Sequence, residues 1–358
     1  MEKTMKGLFV TGPGEGAVCQ GAIPTPAPGQ ALIRLEYAGI CGGDPAIFAH
    51  NNYGGTKEHP RVTGHEFYGE VVAINNPLGK PCRVKVGDKV VGPQDAPCGI
   101  CDQCINGRPS ICSGQYGARQ RPSGCFAEYF ERDFDRLFPI DPGVDPMVAA
   151  IAEPLAVAAF DVRFTGVGLG DTVLIIGAGA VGILIGLLAR LNGASRVVFA
   201  ELSEHRLALM REMGFDTLHS ARDDVPAAMR AFTGGKGADY VFETSGSQPG
   251  WNTSLEAARY GGKVVPVGLP YCDRTVNFPK VYEKELDLIS VNMHQVGDFS
   301  RGVDLINSGL LNREFRRLVT SVWPLDQAVE AMAASTDKAG NDIKILLKPE
   351  LEEKIVFY

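Results

Sequence analysis

The most constraining feature of this chain is an apolar run that stops at a cluster of glycines, Val173-Leu-Ile-Ile-Gly-Ala-Gly-Ala-Val-Gly182. Four aliphatic residues in succession predict a strand buried on both faces. Gly177, Gly179 and Gly182 follow at G-x-G-x-x-G spacing, and from Ala180 the apolar pattern turns helical. The first glycine permits a tight turn, the second lets a phosphate approach the backbone, and the third lets helix and strand pack closely. Free N–H groups at the helix start favour negative charge. The motif therefore predicts a dinucleotide site using Gly177, Gly179, Ala180, Val181 and Gly182. Glycines that only turn a strand into a helix are the competing reading, and the strand-before, helix-after context weighs against it.

From Gly170 onward, buried strands alternate with helical patterns: Thr172–Ile176, Val181–Leu191, Arg196–Ala200, Glu204–Met213, Tyr240–Glu243 and Lys263–Val267. Such alternation predicts an α/β unit with a doubly wound parallel sheet, and Leu286–Val291 reads as a further strand. Glu201 ends the strand that follows the glycines, about 20 residues on, where a carboxylate binds adenosine ribose hydroxyls and favours NAD. Arg206 lies close enough in sequence to leave some tolerance for a 2′-phosphate. The bland alternative for Glu201 is a solvated surface acid.

Before Gly170 the texture differs. Short β-like runs such as Ala31–Tyr37 and Gly69–Ile74 are separated by Gly/Pro-rich turns and predict a mostly β domain. Phe299–Asn307 reads as a helix, and Asp342–Lys348 as a late strand rejoining that domain. The expected division is residues 1–160 with 298–358 for the β domain, and 161–297 for the nucleotide-binding domain. Leu351–Tyr358 is a charged, then apolar tail with no role readable from sequence.

Length and charge narrow the partners. A chain of 358 residues exceeds what a single hydrophobic core serves well. Its net charge of −7 offers no basic face to nucleic acid or an anionic membrane, so a small molecule is the expected partner. Val173–Ala189 approaches membrane-span length but holds four glycines, and the N-terminus lacks the apolar core of a secretory signal. A cytoplasmic protein is expected.

Cysteines give the second strong signal. Cys98, Cys101, Cys104 and Cys112 form C-x2-C-x2-C-x7-C in a Gly/Pro-rich loop. Four thiolates on one loop can close a tetrahedral shell around zinc and leave no position for substrate, so this site should be structural. An iron–sulfur cluster is the alternative, but nothing around it suggests electron transfer. A second set is dispersed: Cys41 in Gly39-Ile-Cys-Gly-Gly-Asp44, His65 and Glu66 in Gly64-His-Glu, and Glu153 in Ala152-Glu-Pro-Leu155. Each alone reads as a packed core residue, since no local spacing rule joins them.

Together with Val86-Gly-Asp-Lys-Val90 and the glycine motif, these segments resemble, in order and over nearly the whole chain, the zinc-containing medium-chain alcohol dehydrogenases. The Gly-His-Glu and Glu-Pro pair is similar to the sorbitol, sugar-acid and threonine dehydrogenase branch. The resemblance implies a GroES-like catalytic domain beside a Rossmann domain, NAD(H) as cofactor, one catalytic and one structural zinc, and a homodimer or homotetramer. It implies that Cys41 and His65 ligate the catalytic zinc, that Glu66 and Glu153 share the remaining position with Glu66 preferred, and that Asp44 fixes the His65 tautomer. Lys89 and Arg108 receive no role.

The implied reaction moves a hydride between a secondary alcohol of a polyol, sugar or sugar acid and NAD, with zinc as Lewis acid. Two relay positions depart from the family: the hydroxyl residue usual two positions after the cysteine is Gly43, and a histidine found further on in some branches is Ala46. Proton exit through Glu153 or Glu66 is the expected replacement. Phe48, His50, Tyr53, Tyr116 and Asn292-Met-His294 are candidates for substrate selection, with packing or backbone capping as the plainer reading of each. A threonine-type amino alcohol dehydrogenase is the rival enzyme, and a relative without catalysis is the rival outside enzymology.

Overall fold

In the computed structural model, which describes residues 4–93, 97–115, 123–269, 273–337 and 340–357, the apolar run Thr172–Ile176 becomes a strand buried at every position. It lies inside a six-stranded sheet. Arg196–Glu201 and then Asp216–His219 flank it on one side, and Ala238–Glu243, Ala258–Pro266 and Asp287–Leu288 on the other. Every pairing is parallel. Leu174, Val198, Val241 and Val264 pack with Trp251 and Leu255 of the helix Gln248–Ala257. The order of strands reverses beside Thr172–Ile176, and open α/β sheets bind ligands beyond the carboxyl ends of strands at such a point. Of the expected strand Leu286–Val291, only Asp287 and Leu288 join the ladder, because they form the exposed outer edge.

The glycines sit at that reversal. Gly177 has φ +104°, and a Cβ there would lie 2.9 Å from the Thr244 hydroxyl oxygen. A Cβ at Gly182 would meet the Gly177 carbonyl oxygen at 2.4 Å, so side chains are excluded where the helix Ala180–Leu191 leaves the strand. The run Val173–Ala189 is thus split between strand and helix. Among the described residues no helix is long and apolar enough to cross a membrane.

The other compact unit comprises Met1–Ala156 with Gln295–Tyr358, leaving Val157–His294 for the nucleotide-binding unit. Its largest sheet is organised around the strand Gln30–Gly39, which pairs antiparallel with Glu66–Ile74, Tyr129–Asp133 and Lys344–Lys348. Leu8, Ile33, Phe67, Phe126, Phe130 and Leu347 fill the core beneath it. Phe67 and Phe130 meet edge to face, with centroids 4.8 Å apart. The strand Lys344–Lys348 and the helix Val296–Ser308 belong to this unit.

The sequence reading missed the strand Val319–Pro324, which runs parallel to Lys344–Lys348. The tail then finds its place: Ile355–Val356 pairs antiparallel with Val319–Pro324. Arg316 lies over the Phe357 ring at 4.2 Å and Lys354 over Trp323 at 3.8 Å.

Candidate active site and metal centres

The four-cysteine loop closes on itself. Cys101 precedes the short helix Asp102–Ile105, which carries Cys104, and the turn Pro109–Ile111 delivers Cys112. Sulfur separations are 3.5 Å for Cys101–Cys104 and Cys98–Cys112, 3.8 Å for Cys101–Cys112 and 4.0 Å for Cys98–Cys104. A tetrahedral shell with zinc–sulfur bonds of about 2.3 Å has edges of about 3.8 Å, so the ring fits a single zinc ion. An iron–sulfur cluster spaces its thiolates more widely and does not fit. Backbone N–H groups of Cys98 and Cys101 donate to the sulfurs of Cys112 and Cys98. Hydrogen bonds from the Cys104 backbone and from Ser113 hold the Cys101 thiol down at about 5.

The dispersed set is assembled by strand register. Gly39 pairs with Glu66 across the antiparallel ladder, which places Cys41, just past the end of one strand, beside His65, just before the start of the other. The potential ligand atoms of Cys41, His65 and Glu66 all lie within 4.8 Å of one another. Gly39 has a steric reason: a Cβ there would sit 2.1 Å from Glu66 Oε2. The fully buried Asp44 carboxylate accepts from the Cys41 N–H at 2.9 Å and faces His65 Nδ1 at 3.3 Å. Nε2 is left for a metal. Burial works against a charged His65, but Asp44 and Cys41 outweigh it and raise its pKa well above the ordinary value. A thiolate, an imidazole and a carboxylate gathered this closely suit zinc.

Lys344 is the residue that sequence reasoning missed. Its buried ammonium donates to Glu66 Oε1 and Oε2 at 2.9 and 2.8 Å and to the Ile40 carbonyl at 2.9 Å. Burial lowers the Lys344 pKa, yet Glu66 and then Cys41 raise it above the usual lysine value overall. For Glu66, burial pushes upward, Lys344 pulls down and Glu153 pushes up again, with a net rise. Glu153, in the first turn of the helix Ala152–Thr165, thus acts on the site by charge while lying outside the close ligand group. Buried Cys125 donates to the Glu66 carbonyl at 3.3 Å, and burial pushes its thiol up to about 12.

Several selection candidates have structural work. Phe48 packs against the core, and Tyr53 is buried with its hydroxyl donating to the Gly64 carbonyl at 3.2 Å. His50 is exposed at the end of the helix Asp44–Ala49, His294 is buried, and Met293 has φ +56°. Tyr116 lies outside the described residues. Lys89 bridges Glu36 and Glu70 beside Arg34, while Arg108 is exposed.

At the nucleotide motif, Gly179 caps the helix Ala180–Leu191 without a side-chain bond, and a Cβ there would meet nothing within 4 Å. Glu201 Oε2 accepts from the Ala178 N–H at 2.7 Å, and Oε1 from Leu202 and Ser203 at 2.6 and 3.0 Å. Arg206 stands 4.0 Å from the same carboxylate. Sequence reasoning also missed Glu243, whose buried carboxylate accepts from the Ser245 and Gly246 N–H groups and shapes the loop after its strand. The signal was present as an acid ending an apolar strand.

Comparison with known proteins agrees with this geometry. Residues 27–142 match the family described as the alcohol dehydrogenase GroES-like domain, and residues 180–308 the zinc-binding dehydrogenase family. The chain is 30% identical to a sorbitol dehydrogenase of Halalkalibacterium halodurans, covering 96% of this chain and 99% of that one. It is 31% identical to an L-threonine 3-dehydrogenase of Saccharopolyspora erythraea, covering 96% and 98%. A protein from Sinorhizobium meliloti, described as a zinc-binding dehydrogenase and solved bound to NADP, superposes with a TM-score of 0.87 at 29% identity, covering 97% and 100%. A Rossmann unit, a GroES-like unit and full-length similarity at this level place the chain in the zinc-containing medium-chain alcohol dehydrogenase family.

Proposed function

We propose that this dehydrogenase oxidises a secondary alcohol of a polyol, sugar or sugar acid with NAD, using Cys41, His65 and Glu66 to hold a catalytic zinc. The observation that carries the reading is the close convergence of those three residues, with the buried Asp44 facing His65 Nδ1. Cys98, Cys101, Cys104 and Cys112 hold a separate, structural zinc. When bound, zinc supplies Lewis acidity to the substrate oxygen and the nicotinamide accepts the hydride.

The chain's own residues do the rest. Asp44 fixes the His65 ring, and Lys344 holds the Glu66 carboxylate beside it. Gly43 and Ala46 provide no side-chain hydroxyl or imidazole for a relay, so the carboxylate of Glu153 takes the substrate proton outward. Gly177, Gly179, Ala180, Val181 and Gly182 hold the pyrophosphate, and Glu201 holds the ribose hydroxyls. Arg206 beside Glu201 partly offsets the charge that would repel a 2′-phosphate.

A threonine-type activity is the second reading, favoured by the S. erythraea relative, and it needs an acid to hold the substrate ammonium. Zinc stoichiometry and one panel test the proposal: polyols, aldonates and L-threonine, each with NAD and with NADP, followed by reduced-cofactor absorbance. Two zincs per chain with turnover on polyols or aldonates support it. Turnover on threonine alone, or a single zinc per chain, overturns it.

A further inference from the structure

The Lys344 ammonium has three N–H donors, and all three are used on the ligand cluster: two on the oxygens of Glu66 and one on the carbonyl of Ile40, the residue before Cys41. Lysine and glutamate are both buried, and 278 positions of chain separate them. One Glu66 oxygen also lies within 4.8 Å of the Cys41 and His65 ligand atoms. The same carboxylate therefore faces a fixed cation on one side and the metal position on the other.

Resting on the proposed assignment of Cys41, His65 and Glu66 to zinc, called the second site beside the four-cysteine ring, we infer that Lys344 is a positioning residue that controls how tightly the zinc of that second site is held. Its pair with Glu66 keeps the carboxylate beside Cys41 and His65 before metal arrives, so the site is preformed. It also withdraws part of the negative charge that Glu66 offers the metal. Lys344 thus exchanges an over-tight zinc for a site that is assembled in advance and remains exchangeable. The Lys344 ammonium directs its three bonds to Glu66 and Ile40 and none of them to the four-cysteine ring, so the ring zinc should not respond to Lys344.

The test uses the two zincs of one chain, with the ring as internal control. Zinc transfer from the full-length protein to a chromogenic chelator is followed in wild type, Lys344→Met and Lys344→Arg, beside melting of zinc-free and zinc-loaded protein. Lys344→Met keeps the apolar stem and removes the charge. The expected result is release from the second site slowed about tenfold or more, the scale on which partners of metal ligands act. Release from the ring stays unchanged, and the loss of melting temperature is larger without zinc than with it. Lys344→Arg restores wild-type release.

A second-site release rate that is unchanged or faster in Lys344→Met overturns the inference. So does the same slowing in a Glu66→Gln background, because the effect would not pass through Glu66. If zinc-free Lys344→Met does not fold, refolding with zinc before the chelator is added gives the same release measurement. A wild type that yields only the ring zinc fails before any variant is made, which marks the failure as that of the site assignment.

Discussion

The two zinc constellations of this protein share one structural unit but are built in opposite ways. Cys98, Cys101, Cys104 and Cys112 span one short loop, and turns at Gly99 and Gly107 bring their sulfurs to tetrahedral spacing. Cys41, His65 and Glu66 meet because two strands pair with Gly39 opposite Glu66, and a third strand, from a distant part of the chain, supplies Lys344. The ring depends on local chain geometry and, on the proposed assignment, supports the fold. The second site depends on the fold and, on the same assignment, supports chemistry. Damage to either should therefore appear in different observables.

The largest effect is expected from exchanging cysteines between these roles. Cys41→Ser should lower kcat/KM by about 10³-fold, because the metal's contribution to the transition state is several kcal/mol, while the fold melts near the wild-type temperature. Cys104→Ser should do the reverse. A closed structural site contributes folding energy, so yield and melting temperature fall while folded molecules with the second zinc keep turnover within roughly threefold. Melting curves and zinc-normalised rates on the same samples decide it. Equal loss of turnover in both variants would break the distinction.

A methyl group sharpens the comparison next. Gly39→Ala would force a Cβ into the Glu66 carboxylate, 2.1 Å from Oε2, and should cut second-site zinc affinity roughly 10- to 100-fold. Gly99→Ala in the ring meets no atom within 4 Å, but sits at φ +73° and should cost roughly 1–2 kcal/mol of stability with turnover intact. Zinc titration and chemical denaturation of both proteins check the pair.

These contrasts explain what could be read in advance. The ring was legible because its spacing alone implies a shell, and the glycine loop because a strand, three glycines and a helix constrain one another. Cys41, His65 and Glu66 carried no joint signal of their own, since strand register is a property of the folded sheet, and only family resemblance linked them. Lys344 was invisible for the same reason: a lysine at the start of Lys344–Lys348 looks like a solvated edge until Val319–Pro324 and the tail strand Ile355–Val356 cover that side. Phe48 and Tyr53 were candidates for substrate selection with packing as the plainer reading, and in the fold Phe48 packs on the core while Tyr53 bonds the Gly64 carbonyl.

Cofactor choice gives an intermediate effect in the other unit. Glu201→Gln should raise the NAD dissociation constant about tenfold through weakened ribose hydrogen bonds, and leave NADP binding equal or tighter because Arg206 remains. Fluorescence titration with both reduced cofactors measures this. Parallel weakening of both would assign Glu201 to the glycine loop alone, through its bond to Ala178.

The smallest effect contrasts two carboxylates on one strand. Glu66 is buried against Lys344, whereas Glu70 is half-buried on the same strand, bonded to Lys89 at 2.7 Å and Arg34 at 2.8 Å. Those bonds, Lys89 first and then Arg34, hold the Glu70 pKa below the ordinary carboxylate value. A depressed folded pKa means that the ion pairs stabilise the protein above the unfolded value of about 4.3, and that this stability is lost as pH falls through the folded one. Water and salt screen such a pair, so Glu70→Gln should cost only about 0.5 kcal/mol at pH 7. The difference from wild type should shrink toward zero in acid and also at high ionic strength. Denaturant midpoints of both proteins across pH, with zinc content monitored because acid also strips ligands, measure that difference directly. A Glu70→Gln loss of several kcal/mol that persists in salt would show that Glu70 is as deeply committed as Glu66, and would erase the contrast between the buried and the exposed end of the strand.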